Sequence, residues 1–350
     1  MITNTCGAAY FAALNTSDGF ISYFHEIFDK VEKVFVIKGG SGTGKSRFMR
    51  EVVKAAYSKG YPVEEFYCSS DPTSLDGVII GRLGIAVVDG TAPHVHEPTM
   101  IGARERFIDL SIFLDGDQLS AQKEMIAALC KAKSERYSRV YSYMKVIAVY
   151  DDLIYGLLSK SVNEEKLRKA VAKAMLWIDS KERGEKRIRI RSAVSTEGDV
   201  ILNSYAKKAE KRFAVLDLCG LGGVYLSRIL SMSEEKGIAV DVSYDPYRPS
   251  QPDALYFPES RVAFYIGSES EWDESIINMK RFVNDGYLRA YKPEIRAISR
   301  LKNAVKEQMN YDFGAIKRLH LALEDIYSGA MNFEEKEKFT VRFISEHIIG

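Results

Sequence analysis

The sequence has few features of secreted, membrane or metal-binding proteins. Its four cysteines are far apart and form no CxxC pair, which excludes a closely spaced zinc or redox site. No apolar run approaches the ~20 residues that a membrane-spanning helix needs. The 49 basic residues nearly balance 48 acidic ones, so no positive field favours nucleic acid. No secretion-signal pattern opens the chain, and we expect a cytoplasmic protein with no membrane or nucleic-acid partner.

The composition that remains is that of a globular protein, and the chain contains an internal repeat. Its 350 residues, 46% of them hydrophobic, suit about two domains. Residues 58–90 align without a gap with residues 235–267. Two further matches keep the same order, because ALNT resembles AVST (193–196) and DLIY (152–155) resembles EDIY (324–327). The sequence therefore predicts two domains, residues 1–180 and residues 181–350.

Each copy alternates between apolar runs and helical patterns. In the first copy, residues 34–38, 63–67 and 85–88 are predicted strands, and the continuous apolarity of the first and third is typical of parallel strands buried on both faces. Long helix-forming stretches follow, at about residues 118–158 in the first copy and 294–327 in the second. The predicted fold class is α/β, with two tandem parallel sheets flanked by helices, each followed by a helical arm.

A phosphate-binding motif follows the first apolar run. Residues 39–46 read GGSGTGKS and match G-x-x-x-x-G-K-[ST], between a predicted strand and a predicted helix. In such a loop, backbone N–H groups surround phosphate oxygens at a helix N-terminus. Lys45 would reach the β- and γ-phosphates and Ser46 would bind Mg²⁺. A plain glycine turn is the alternative. The candidate nucleotide-binding residues are Gly39, Gly40, Ser41, Gly42, Thr43, Gly44, Lys45 and Ser46.

Acidic and imidazole side chains follow the next predicted strands. Asp89 ends the apolar run IAVV and is the second candidate Mg²⁺ ligand, acting through water. Gly90 comes next, so the glutamate that many motor-type ATPases use to activate water is missing there. Asp71, Asp76 and His94 are candidates for that role, and good turn residues are the alternative for the two aspartates. No N-K-x-D motif favours guanine, so ATP is the expected nucleotide.

The second copy has lost the key residues of this loop. Its counterpart, residues 217–227, reads DLCGLGGVYLS, and a direct alignment places Gly223 at Lys45 and Val224 at Ser46. Ile266 falls at Asp89. We expect an inactive second site, in a half that packs on the first half and contributes a residue to its site. The alternating segment 186–191 (KRIRIR) is interpreted as a solvated strand face, and phosphate-facing arginines are the alternative.

Four segments carry a resemblance to a known family. KGGSGTGKS, CSSDPTSLDGVII, VVDGTAPHVHEP and RSAVSTEGDV resemble an uncharacterised bacterial family of duplicated P-loop ATPases. The resemblance implies two tandem nucleotide-binding domains with ATP as ligand. Members commonly keep the loop in both halves, and this chain departs from that pattern at Gly223 and Val224.

Three functions are compatible with these residues. The first is a slow Mg-ATPase with one active site, whose cycle moves the helical arms. The second is a P-loop kinase for a small molecule, which the missing glutamate favours. The third is a non-enzymatic ATP sensor or scaffold, which the inactive second copy favours. The expected cofactors are ATP and Mg²⁺ in all three.

Overall fold

The computed structural model describes residues 7–92, 98–178, 183–267 and 273–350. In the first half, the strands are β1 (Ala8–Phe11), β2 (Ala13–Thr16), β3 (Gly19–Ser22), β4 (Lys33–Lys38), β5 (Val63–Tyr67), β6 (Leu75–Ile80), β7 (Ile85–Asp89) and β8 (Glu105–Asp109). The helices of that half are α1 (Phe24–Phe28), α2 (Lys45–Ser58), α3 (Gly116–Ala121), α4 (Lys123–Ser159) and α5 (Glu164–Met175).

The second half repeats this order of elements. Its strands are β9 (Lys186–Ile188), β10 (Ser192–Ser195), β11 (Gly198–Ile201), β12 (Lys211–Leu216), β13 (Val240–Asp245), β14 (Arg248–Phe257), β15 (Val262–Ile266) and β16 (Ser275–Asn278). Its helices are α6 (Ser204–Lys208), α7 (Leu221–Glu235), α8 (Asp285–Gly329) and α9 (Phe333–Ile344), and a final π-helical turn covers Ser345–Ile349.

The two six-stranded sheets have the same strand order. The first runs β1-β5-β6-β7-β4-β8 and the second runs β9-β13-β14-β15-β12-β16. In each sheet the third strand, β6 or β14, is antiparallel to both neighbours, and the other neighbouring pairs are parallel. The expected parallel sheets are therefore mixed sheets. The prediction was wrong because it missed β6, which turns the segment between β5 and β7 into two hairpins.

The central strands and α2 follow the apolar pattern of the sequence. Residues 34–37 of β4 and all of β7 are buried, as expected for strands covered on both faces. The helix predicted after the loop is α2, and its apolar side buries Phe48, Val52, Val53 and Ala56.

The long helices pack side by side and differ from prediction at their ends. The first predicted stretch, residues 118–158, is broken at Gln122 into α3 and α4. The second begins earlier than expected, because α8 starts at Asp285 and continues through Pro293. Asp312 of α8 is fully buried against α4, where it pairs with Arg136 and lies 3.0 Å from Arg139. Within the described ranges, none of the helices combines the length and apolarity that crossing a membrane requires.

The short helices after the long arms pack on the opposite halves. Helix α5, from the first half, joins a hydrophobic cluster with α7 and the second sheet, through residues such as Leu167 and Val171. Helix α9, from the second half, packs against α2, and Phe343 joins the cluster of the first sheet. Each sheet is thus covered by a helix from the other half. The domain boundary near residue 180 stays a prediction. Helices α5 and α9 each pack on the half that lies on the other side of that boundary.

Two arginines of the 186–191 segment are buried near the junction of the two sheets, so the expected solvated face is wrong for Arg189 and Arg191, whereas Arg187 is exposed. Phe11 N donates to Ile190 O at 2.8 Å, which joins the β1 edge of one sheet to the end of β9 in the other. Arg189, 7% exposed, donates to Glu64 at 2.8 and 3.2 Å, and Arg191 is 2% exposed over the Tyr265 ring. Burial raises the pKa of Glu64, but Arg189 outweighs it and lowers that pKa. Arg189 therefore connects the two halves, whereas Arg191 lies over a tyrosine of its own half.

Candidate functional site

The loop of residues 39–46 connects β4 to α2 at one end of the first sheet. Strand β4 lies between β7 and β8, so the loop emerges near the middle of that sheet's parallel part. Gly42 and Gly44 have φ of +73° and +79°, a left-handed conformation that suits glycine. Gly44 is the N-cap of α2, so the unpaired N–H groups of the first helical turn point toward this loop. An anion placed here would meet N–H donors and the positive end of the helix dipole.

The ammonium group of Lys45 is folded into the loop. Lys45 Nζ donates to Gly39 O at 2.9 Å and to Gly40 O at 2.8 Å, and it lies 3.6 Å from Asp89 Oδ2. The Lys45 side chain is 13% exposed. Thr43 Oγ1 also donates to Gly40 O, at 2.9 Å. The cation is thus held by acceptors that phosphate oxygens could replace, and its charge is already balanced by one carboxylate.

Oxygen ligands suitable for a hard cation lie next to this lysine. Gly77 of β6 pairs with Val88 of β7, and Asp76 and Asp89 are the next residues along these two strands. Both aspartates are buried, at 4% and 8% exposure. Ser46 Oγ accepts a hydrogen bond from Leu75 N at 2.9 Å, so its hydroxyl lies beside the same strand end. Two carboxylates and a hydroxyl fit Mg²⁺, which prefers oxygen ligands.

These protein groups would have to share a metal with a ligand. In the part of the chain that the structure describes, no cluster of three or more His, Cys, Asp or Glu residues could hold a metal ion. Mg²⁺ in nucleotide sites typically combines one or two carboxylates with phosphate oxygens and water. Ser46, Asp76 and Asp89 would supply the protein part of such a shell.

The end of helix α8, from the second half, packs on the outside of the loop. A Cβ added at Gly40 would lie 2.7 Å from Tyr327 Cε1, and one added at Gly42 would lie 2.5 Å from Glu324 O. Both loop glycines are therefore needed for this close approach. The sequence repeat aligns residues 324–327 of α8 with residues 152–155 of α4. Asp152 lies 3.7 Å from Arg248, which is next to Gly220 in the corresponding loop of the second half. Each matched segment thus lies at the loop of the other half.

The three candidates for activating water, Asp71, Asp76 and His94, have different outcomes. Asp71 accepts hydrogen bonds from Thr73 N, Thr73 Oγ1 and Ser74 Oγ, which favours the turn interpretation. Burial raises the pKa of Asp71, but these hydrogen bonds outweigh it and lower that pKa. Asp76 lies within β6, so its interpretation as a turn residue is wrong. His94 lies outside the described residues.

One cation near the site had no signal in the sequence. Burial lowers the pKa of Lys133 on α4, and the charge of Lys45 lowers it further, whereas Glu324 acts in the opposite direction. Lys133 is therefore within electrostatic range of Lys45 and Glu324. Its helix is far from the loop in sequence, so only the packing of α4 over the sheet reveals it.

The second loop is shorter and is filled by its own side chains. Residues 217–220 separate β12 from α7, two fewer than separate β4 from α2. The N-caps Gly44 and Gly220 both have left-handed φ, so Leu221 corresponds to Lys45 and Gly222 to Ser46. The direct alignment that chose Gly223 and Val224 is therefore wrong by two positions, although both residue types are still lost. Ile266 pairs with Val215 as Asp89 pairs with Ile37.

In the second loop, an acidic side chain lies at the position that corresponds to the expected phosphate site of the first loop. Gly220 N donates to Asp217 Oδ2 at 2.8 Å and Gly222 N donates to Asp217 Oδ1 at 2.6 Å. Arg248 approaches the same turn so closely that a Cβ added at Gly220 would overlap its Nη1. The N–H groups of this helix end are thus satisfied by a carboxylate from within the loop.

Asp245, near the second loop, makes a testable contribution to pH dependence. Burial, and then the neighbouring Asp253 carboxylate, raise the pKa of Asp245 from 3.8 to about 6. The folded chain then keeps a proton that the unfolded chain has lost, so the free energy of unfolding falls as the pH rises from about 4 to about 6. Asp245→Asn should add about 1–3 kcal/mol near neutral pH and little at about pH 4.

Urea unfolding at the two pH values measures this difference. Asp18→Asn, at an exposed aspartate in the β2–β3 turn, is the control and should change stability equally at both. A gain for Asp245→Asn that is the same at both pH values would contradict the assigned pKa.

Comparison of the chain with protein-family models, with curated proteins and with solved structures gave no match. The resemblance to duplicated P-loop ATPases therefore stays a prediction.

Proposed function

We propose that the chain binds one Mg²⁺-nucleoside triphosphate, ATP, at the loop of residues 39–46 and hydrolyses it slowly. The observation that carries the proposal is the loop itself. Two of its glycines, Gly42 and Gly44, have left-handed φ just before helix α2 begins. The Lys45 ammonium lies 3.6 Å from the Asp89 carboxylate. Glycine-rich turns, one lysine and one strand-end aspartate are the parts that phosphoryl-transfer sites of this type combine.

Each part has a defined role in the proposed site. Backbone N–H groups of the loop bind phosphate oxygens, and Lys45 exchanges its carbonyl acceptors for them. Ser46 and Asp89, with Asp76 beside them, hold the metal ion. When bound, Mg²⁺ would neutralise charge that develops on the phosphate oxygens.

Slow hydrolysis is expected because Asp89 is followed by Gly90 rather than by a carboxylate. Asp71, the candidate base, has its carboxylate oxygens engaged by Thr73 and Ser74. Water would therefore be oriented without a strong base, and general-base catalysis is typically worth about 10²–10⁴-fold.

A binding and turnover assay tests this function. Isothermal titration calorimetry with ATP, GTP, CTP and UTP in Mg²⁺ should give one site per chain, tightest for ATP, because the second loop is filled by Asp217. Removing Mg²⁺ with EDTA should weaken binding and stop phosphate release. Binding to two sites, or no binding of any triphosphate, would contradict the proposal.

Two other results would favour a different reaction. Phosphate transfer that begins only when a small-molecule acceptor is added would favour a kinase. Tight ATP binding with no phosphate release over hours would favour a sensor.

A further inference from the structure

Helix α9 of the second half presents a buried lysine to the phosphate loop. Lys336 is 1% exposed, although its helix comes from a segment almost 300 residues away in the chain. A Cβ added at Gly44 would lie 3.3 Å from Lys336 Nζ. Gly44 is the N-cap of the 14-residue helix α2 and immediately precedes Lys45. The amine therefore lies at the helix N-terminus where a phosphate would bind.

Across the four described ranges, Lys336 Nζ makes no hydrogen bond or ion pair with a protein group. The acids that would attract it are engaged elsewhere, since Glu337 pairs with Arg47 at 2.6 Å and Glu51 pairs with Lys54 at 2.7 Å. Burial lowers the pKa of Lys336, and Arg47 lowers it further. A cation at the positive end of a helix is unfavourable unless an anion joins it.

The second half of the molecule provides an internal comparison. Helices α5 and α9 begin with the same cap, because Asn163 accepts from Lys166 N and Asn332 accepts from Glu335 N. Counting from these caps, Leu167 corresponds to Lys336. Leu167 is fully buried in the cluster that includes Leu221 of α7, at the loop that has lost its lysine. The intact loop thus has a lysine beside it, whereas the equivalent position of the other repeat is a leucine in the hydrophobic cluster of the second half.

We propose that Lys336 is a second phosphate-binding cation of the nucleotide site, supplied by the other repeat. The inference rests on the proposed function and deepens it. A buried ammonium beside the loop would add a charge-assisted hydrogen bond to a phosphate oxygen. The second half then contributes to the active site of the first half, although its own loop is degenerate.

Lys336→Leu, which introduces the residue of the other repeat, tests the role. Its affinity for Mg²⁺-ATP and for tripolyphosphate, measured by calorimetry, should be weaker than that of the wild type by about tenfold or more. The affinity for adenosine should not change, because adenosine has no phosphate. The thermal midpoint without ligand should stay or rise, because a leucine fits the matching position and an unpaired buried charge is removed.

Lys338→Leu, at a 61% exposed lysine on the same helix, is the matched control and should bind like the wild type. Lys336→Met serves as a second variant if the leucine variant does not fold. Unchanged ATP affinity in a folded Lys336 variant would overturn this inference and leave the proposed function in place. A wild type that binds neither ATP nor tripolyphosphate would overturn both.

Discussion

Lys45→Ala is expected to reduce ATP affinity and turnover by about 100-fold or more. The ammonium is held by Gly39 O and Gly40 O, and it lies 3.6 Å from Asp89 Oδ2. Without it, the carboxylate of Asp89 faces incoming phosphates with no compensating charge, so repulsion adds to the lost contact. Phosphate release and calorimetric titration at one salt concentration measure both effects.

The control for this substitution lies on the same helix. Lys54 has a 70% exposed side chain that pairs with Glu51, so Lys54→Ala removes the same charge without touching the loop. Its ATP affinity and turnover should match those of the wild type. Undiminished turnover in Lys45→Ala would show that phosphate is bound elsewhere in the chain.

Phe343→Ala should lower the free energy of unfolding by about 3–5 kcal/mol. The Phe343 side chain belongs to α9, from the second half, but its ring centroid lies 4.8 Å from that of Phe35 and 5.0 Å from that of Phe48, both in the first half. Removing the ring leaves a cavity between α9, α2 and β4. Urea unfolding followed by tyrosine fluorescence measures the loss.

Val341 offers the comparison, two residues away on α9. It is 69% exposed, so Val341→Ala should change stability by less than about 0.5 kcal/mol. A loss of similar small size for Phe343→Ala would mean that α9 does not cover the first sheet in solution.

The local elements of the fold were predictable because their signals are local. Strands β4 and β7 follow from short apolar runs at residues 34–38 and 85–88. Strand β6 was missed because it follows the turn residues of DPTS and contains Asp76 and Gly77, which are uncommon in strands. That omission turned a mixed sheet into a parallel one and left a turn as the alternative interpretation of Asp76.

The sequence predicts that the second half contributes to the candidate site, but it does not identify the residues that do so. The motif identifies Lys45 and Ser46, but Tyr327 and Lys336 reach the loop only because α8 and α9 cross to the other half. No periodicity in one sequence says which sheet a helix covers. The alternation of KRIRIR was misleading for the same reason, since Arg189 finds Glu64 on the opposite sheet.

The crossing of α5 and α9 also bears on the persistence of the duplication. A gene that kept only one copy would encode a sheet without its covering helix, and the exposed apolar side chains would favour aggregation or pairing with a second molecule. Neither α5 nor α9 includes the backbone N–H groups and the Asp217 carboxylate of the loop of residues 217–220. One copy can therefore lose its ligand chemistry over evolutionary time while selection still preserves its shape.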